Sequence, residues 1–249
     1  MTNMKQSLIG LVLAACTASP PLTTTVATSS TTIAPSPTST ITATTVTTVP
    51  PTTTTAPTTS TTASPVFKVV VEDVTATSLD TTWREGCPVG PSDLRMLTLS
   101  HLGLDGQVHT GQLVIHVDWV TDVSGVFRSL FEAGFPIERI EPMSVYGADD
   151  DAAMAANNSS GFNCRNVRGT NRWSEHSYGR AIDLSPLTNP WVRASEVVPP
   201  NGVTDRDAST LGLIVGGDVV VDSFASIGWE WGGYWSSSKD YMHFSSTGR

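Results

Sequence analysis

The sequence predicts a small α+β domain, with a mostly antiparallel sheet and flanking helices, carried behind a long segment that has no fold of its own. Three observations lead there. Residues 1–65 hold a single charged side chain, Lys5, whereas the remainder has ordinary mixed composition and carries every other charge of a chain whose net charge is −9. Short apolar runs separated by Gly- and Pro-containing turns mark strands. One stretch, residues 120–131, repeats apolar side chains at helical spacing.

Residues 1–16 read as an export signal. Lys5 supplies a weak positive start, and Leu8-Ile9-Gly10-Leu11-Val12-Leu13 is an apolar run too short to span a bilayer as a helix. The run ends in Leu13-Ala14-Ala15-Cys16, similar to the lipobox of bacterial lipoproteins. Cys16 is therefore expected to be lipidated and to become the mature N-terminus; cleavage nearby and secretion is the alternative. Several acyl chains anchor a protein stably, because each buried methylene contributes about 0.8 kcal/mol.

Residues 17–65 are almost wholly Thr, Ser, Pro, Ala and Val, with nothing bulky enough to form a core. The segment is expected to be a disordered tether. As a flexible chain it would reach about 40 Å; stiffened by proline it would approach about 150 Å.

Residues 66–249 are the folded part and suffice for one domain. Residues 66–71 read as a short strand or the end of the tether, residues 86–91 as a turn, residues 94–99 as a short segment of apolar alternation, and residues 111–117 as a strand. The helix over residues 120–131 starts after Asp118 and stops at Ala133-Gly134, with Pro136 beyond. Residues 137–146 read as a strand and residues 147–173 as a long polar surface loop, a length that usually carries function. A strand over residues 180–184, a loop over residues 185–210 and a short helix over residues 219–227 follow. An aromatic strand or turn, residues 228–235, leads to residues 240–244.

An acidic domain lacks the surplus Lys and Arg that nucleic acid demands, so no nucleic-acid partner is expected. The three cysteines fit export. With Cys16 lipidated, Cys87 and Cys164 remain, and an oxidising compartment favours their disulfide over two buried thiols. Nothing points to an oligomer, and a monomer is expected.

The chemistry concentrates in two motifs. Ser174-Glu175-His176-Ser177-Tyr178-Gly179-Arg180-Ala181-Ile182-Asp183 and Asp240-Tyr241-Met242-His243-Phe244 together offer two imidazoles and a carboxylate. That set, with a position left open, suits a catalytic zinc; a structural site is richer in thiolates. Asp240 adds a second carboxylate.

The pattern Ser-x-His-x-x-Gly-x-Ala-x-Asp, then Trp-x-Trp-Gly-Gly and Asp-x-x-His-Phe, resembles the zinc D-alanyl-D-alanine carboxypeptidase-like peptidases. Their relatives include vancomycin-resistance dipeptidases, endolysins that cut L-alanyl-D-glutamate bonds, and the zinc fold of Hedgehog domains. The likeness runs from about Gly86 to the end and includes Gly86-Cys87-Pro88-Val89, Phe135-Pro136-Ile137 and Phe162-Asn163-Cys164-Arg165.

The resemblance implies that His176, Asp183 and His243 bind Zn2+ and that Asp240 is the general base. It also implies that Arg165 stabilises the oxyanion or holds a substrate carboxylate. Several relatives carry Glu where this chain has Asp240; Glu175 and Glu230 are rival bases, ranked lower because the Asp-x-x-His spacing is the repeated one. Ser174 would orient substrate or a ligand through its hydroxyl. The substrate class implied is a peptidoglycan stem peptide, cut by a carboxypeptidase or an endopeptidase at the cell envelope. The alternative is an exported, non-catalytic zinc-containing module that binds the cell wall; retention of Asp240 speaks against it.

Other features read as structural. His101, His109 and His116 lie outside any metal motif, and Trp229, Trp231 and Trp235 are expected in the core or a cleft wall. Gly216-Gly217 lacks the rest of a dinucleotide fingerprint. Asp149-Asp150-Asp151 reads as a solvated loop.

Overall fold

The computed structural model describes residues 65–207 and 209–249. The signal peptide, the lipidation at Cys16 and the tether up to residue 64 lie outside the described residues. The described residues fall within one unit, Ser60–Arg249. No described helix is long and apolar enough to cross a membrane.

Three antiparallel strands make the first layer: β1 (Val69–Asp73), β2 (Leu94–Leu102) and β3 (Val108–His116), in the order β1-β2-β3. Period-2 alternation buries one face, with Leu97, Leu99, Leu113 and Ile115 almost wholly enclosed. Between β1 and β2 lies the short helix α1 (Ala76–Leu79), whose N-cap Thr75 accepts a hydrogen bond from Ser78 N. The main helix, α2 (Val120–Glu132), lays Val123, Val126, Phe127 and Leu130 on that sheet. It stops where Gly134 turns left-handed, as expected.

The core continues through α2 into the helix Val219–Ser226 and into Ile182, Trp229, Trp231 and Phe244. The remaining helix and strands surround this centre: β4 (Arg139–Ile140), α3 (Asp150–Ala155), β5 (Asn158–Ser159), β6 (Ala181–Asp183), β7 (Trp191–Arg193), β8 (Glu196–Val198), α4 (Val219–Ser226), β9 (Glu230–Trp231), β10 (Lys239–Asp240) and β11 (His243–Ser245). They form three further small sheets: β6-β11-β9 and β10-β7-β8, both antiparallel, and the parallel pair β4-β5.

The class is α+β, as the sequence predicts, although the strands are spread over four small sheets among the described residues. Three local expectations are corrected. The strand expected over residues 137–146 survives only as β4, because Pro142 interrupts it and residues 143–146 coil into a 3-10 turn ended by Gly147. Residues 147–173 are not one surface loop. Asp149 caps α3 by accepting from Asp151 N at 2.9 Å, and residues 157–164 are buried. Residues 185–210 contain the β7-β8 hairpin. Asp240 and His243 lie on two strand ends across a tight turn.

The disulfide expected between Cys87 and Cys164 is formed, with Cα atoms 6.0 Å apart. It joins the turn before β2 to the buried segment that precedes the first metal motif. Cys164 sits in a second apolar cluster with Leu79, Leu94, Val114 and Phe162.

Candidate metal centre

His176, Asp183 and His243 come from two strands and one turn, and each placement has a local cause. His176 lies in the 3-10 turn Glu175–Tyr178. Ser174 caps that turn, its hydroxyl accepting from His176 N, and Gly179 ends it at φ 64°. A side chain at Gly179 would also strike His116 N, 2.7 Å from where its Cβ would stand, so glycine is needed for shape and for space. Three residues of strand then deliver Asp183. His243 is its direct cross-strand neighbour in the β6-β11 register.

Ligand atoms of the three residues all lie within 4.8 Å of one another. His243 Nδ1 is 2.9 Å from Asp183 Oδ1, and His176 Nε2 is 3.2 Å from Asp183 Oδ2. Both imidazoles are buried, at 3% and 7% exposure for His176 and His243.

The far nitrogen of each ring is hydrogen-bonded to an oxygen that can only accept. His176 Nδ1 donates to Gly161 O at 2.6 Å, and His243 Nε2 donates to Arg249 O at 2.7 Å. Each far nitrogen therefore carries the proton, and in the neutral ring the near nitrogen presents a lone pair. Two lone pairs then face a carboxylate, an arrangement of acceptors with no donor. His176 Nε2 is in fact buried without a hydrogen-bond partner. Either protons or a cation must fill the gap. The donor set, two imidazoles and one carboxylate, suits zinc, and the carbonyl-bonded far nitrogens are the outer support such ligands need.

Protonation tells the same story without the ion. Burial works against charge on Asp183, yet the two imidazoles overcome it and hold the carboxyl well below its usual range. Burial likewise opposes charge on His243, but hydrogen bonding and attraction to Asp183 raise it to about 9. The site is a preformed cradle for positive charge.

Asp240, at the end of β10, looks onto the same cluster. Oδ1 is buried and unpartnered. Burial pushes this carboxyl up to about 7; the pull of His243 opposes that, and the negative charge on Asp183 adds to it. A cation on the three ligands would draw the value down again. Gly232 lies against Asp240, and a Cβ there would stand 2.7 Å from Asp240 O.

Arg165 reaches the cluster closely enough to lower the Asp240 value by its charge. Its Nε is ion-paired with Asp150 Oδ2. Its backbone is clamped by Ser177, whose hydroxyl accepts from Arg165 N at 2.9 Å and donates to Arg165 O at 2.6 Å. The rival carboxylates are placed elsewhere: Glu175 pairs with Arg180 Nε at 2.6 Å, and Glu230 is exposed. Ser174 is buried and caps the turn that carries His176.

Sequence reasoning passed over Asp150 and Ser177. Asp150 was grouped with a solvated acidic run, yet it also accepts from Asn163 Nδ2 at 2.9 Å and so ties α3 to the Arg165 segment. Ser177 stands inside the metal motif, and its burial was the missing signal. His101 donates from Nδ1 to Ile137 O at 3.0 Å, and His109 pairs with Asp105, both outside the centre.

Residues 168–246 match the family model described as D-alanyl-D-alanine carboxypeptidase. The match contains all three candidate metal ligands, Asp240 and Ser174, and supports a zinc DD-peptidase-like family of peptidases for this part of the chain. Arg165 and Cys164 fall just before it, and Cys87 lies well upstream. No match was found among curated proteins or solved structures.

Proposed function

We propose that this chain is a zinc-dependent peptidase that hydrolyses peptidoglycan stem peptides, as a carboxypeptidase or an endopeptidase, in the cell envelope at the outer face of the cytoplasmic membrane. The observation that carries the proposal is the pair of buried imidazoles. Both have their proton fixed on the far nitrogen by an acceptor, and both present the near nitrogen to one half-buried carboxylate. Asp240 stands alongside.

When bound, zinc supplies a Lewis acid for the scissile carbonyl and acidifies water. The remaining steps belong to the chain. Asp240, half-buried with Oδ1 enclosed beside the cluster, takes a proton from the attacking water and passes it to the leaving amine. Arg165 offers its terminal nitrogens to the developing oxyanion or to a substrate carboxylate, with Nε held by Asp150. His176, Asp183 and His243 hold the ion.

The N-terminal motif and tether support this location: a lipid on Cys16 with a Thr/Ser/Pro-rich spacer would hold the domain away from a membrane, within reach of cell-wall peptides. The test is digestion of purified peptidoglycan and synthetic stem peptides by the full chain, with mass spectrometry of the products. Cleavage that disappears with chelator and returns with zinc supports the proposal and names the bond. Intact substrates with fully metallated protein would refute it in favour of a cell-wall binding module.

A further inference from the structure

We infer that the turn formed by residues 245–249 is a positioning element for His243: the Arg249 main-chain oxygen accepts the His243 Nε2 proton and so aims the Nδ1 lone pair at the metal position. The inference rests on the metal-centre reading above and extends it to residues outside both motifs.

The two imidazole ligands are supported differently. His176 leans on Gly161 O, a carbonyl in a buried segment. His243 leans on Arg249 O, on an exposed residue beyond β11. The turn reverses so that Arg249 returns to a strand residue it has just left. Ser245, fully buried, makes the return possible: its hydroxyl donates to Arg249 O at 2.9 Å and accepts from Arg249 N at 3.0 Å. Gly248, at φ 70°, supplies the reversal. Trp235 completes the clamp. Its Nε1 donates to Gly248 O at 3.1 Å, and its ring centroid lies 5.8 Å from that of His243.

Arg249 O thus receives two donors, and the imidazole is one of them. An oxygen of this kind cannot donate, so the nitrogen facing it must carry the proton. Without it, His243 has no partner holding Nε2–H in place, and the ring is free to turn or to adopt the other tautomer. Outer partners of this sort are generally worth 10- to 100-fold in metal affinity. The Arg249 side chain plays no part, since the contact is made by the main chain.

The experiment is a zinc titration of the full chain against a chromogenic chelator, paired with histidine nitrogen NMR of the zinc-loaded protein. Deleting residues 248–249 is expected to weaken zinc binding by about 10- to 100-fold. Ser245→Ala is expected to weaken it in the same direction by less, and Arg249→Ala to leave it unchanged. In the wild type the His243 Nε2 signal should show a bound proton and Nδ1 the metal shift. A deletion variant that binds zinc like the wild type would overturn the inference; so would an Arg249→Ala variant as weak as the deletion. If the deletion does not fold, an unchanged affinity in Ser245→Ala still overturns it. A wild type that binds no zinc is a different outcome, which defeats the metal-centre reading itself and this inference with it.

Discussion

Removing the Cys87–Cys164 bond should cost a large part of the stability of the domain while leaving the metal cluster assembled. The bond spans a sequence separation of 77 residues and so closes the loop containing β2, β3 and α2. In the chain-entropy account, a loop of that length lowers the entropy of the unfolded chain by an amount worth about 4–5 kcal/mol at 25 °C. Typical domains have about 5–15 kcal/mol in total, so the double variant Cys87→Ala/Cys164→Ala should be markedly less stable. Its folded form should differ little. Cys164 is also held by Cys164 N donating to Thr82 O at 3.0 Å and by Arg84 Nη1 donating to Cys164 O at 2.6 Å. These bonds keep the neighbouring Arg165 in place. The assay is guanidinium unfolding of both proteins at saturating chelator, followed by tryptophan fluorescence. A loss within roughly 1 kcal/mol of zero would refute the reasoning, since the unfolded chain would then gain nothing from release of the loop.

Three further outcomes are expected. Gly232→Ala should cut peptidase activity by about ten-fold or more while zinc affinity stays near wild type, because the new methyl group presses on Asp240 and not on a ligand; equal activity would show that Asp240 needs no fixed position. Phe244→Ala should destabilise by about 3–5 kcal/mol, since the ring is fully buried and stacks on Phe224 at 4.2 Å; a smaller loss in thermal or denaturant unfolding would mean that the site repacks. His101 should make the fold acid-sensitive. Burial lowers its pKa below the ordinary 6.5, so the native state keeps it neutral while the unfolded chain takes up a proton. Stability from this group is present above about pH 6.5 and declines as pH falls below it; His101→Gln should flatten that part of the stability-pH curve.

Much of the fold was legible where the pattern is local. Val123, Val126, Phe127 and Leu130 recur at helical spacing and form the buried face of α2. The Gly134 stop and the alternation of β2 and β3 were likewise visible in short windows. Illegible were elements whose backbone partners are far away. Residues 157–164 look polar, yet Phe162 N donates to Val114 O at 2.9 Å and Ser160 exchanges two main-chain bonds with Asp183. Asn157 is buried because its amide serves Leu187 and Glu138, which nothing in the neighbouring sequence announces.

The same division runs through the metal centre. His176 and Asp183 sit on one short motif with its Gly179 turn, and His243 with Asp240 on another, so the resemblance of the two motifs to a known family sufficed to name the candidate ligands. Their outer partners could not. Gly161 O, Arg249 O and the Asp150 carboxylate reach the site from segments without a motif of their own, and main-chain acceptors leave no residue-type signal. The aromatic run separated in a similar way. Trp229 and Trp231 are core, with Trp231 Nε1 donating to Tyr241 O at 2.9 Å, while Trp235 braces the turn behind His243.

The most direct test of the central claim is a side-by-side assay of the wild type and Asp240→Ala on a stem peptide, with bound zinc measured in the same samples. The account predicts equal zinc content and loss of cleavage by at least about 100-fold in the variant, the usual scale for a removed general base. Retained cleavage in a zinc-loaded Asp240→Ala protein would contradict it.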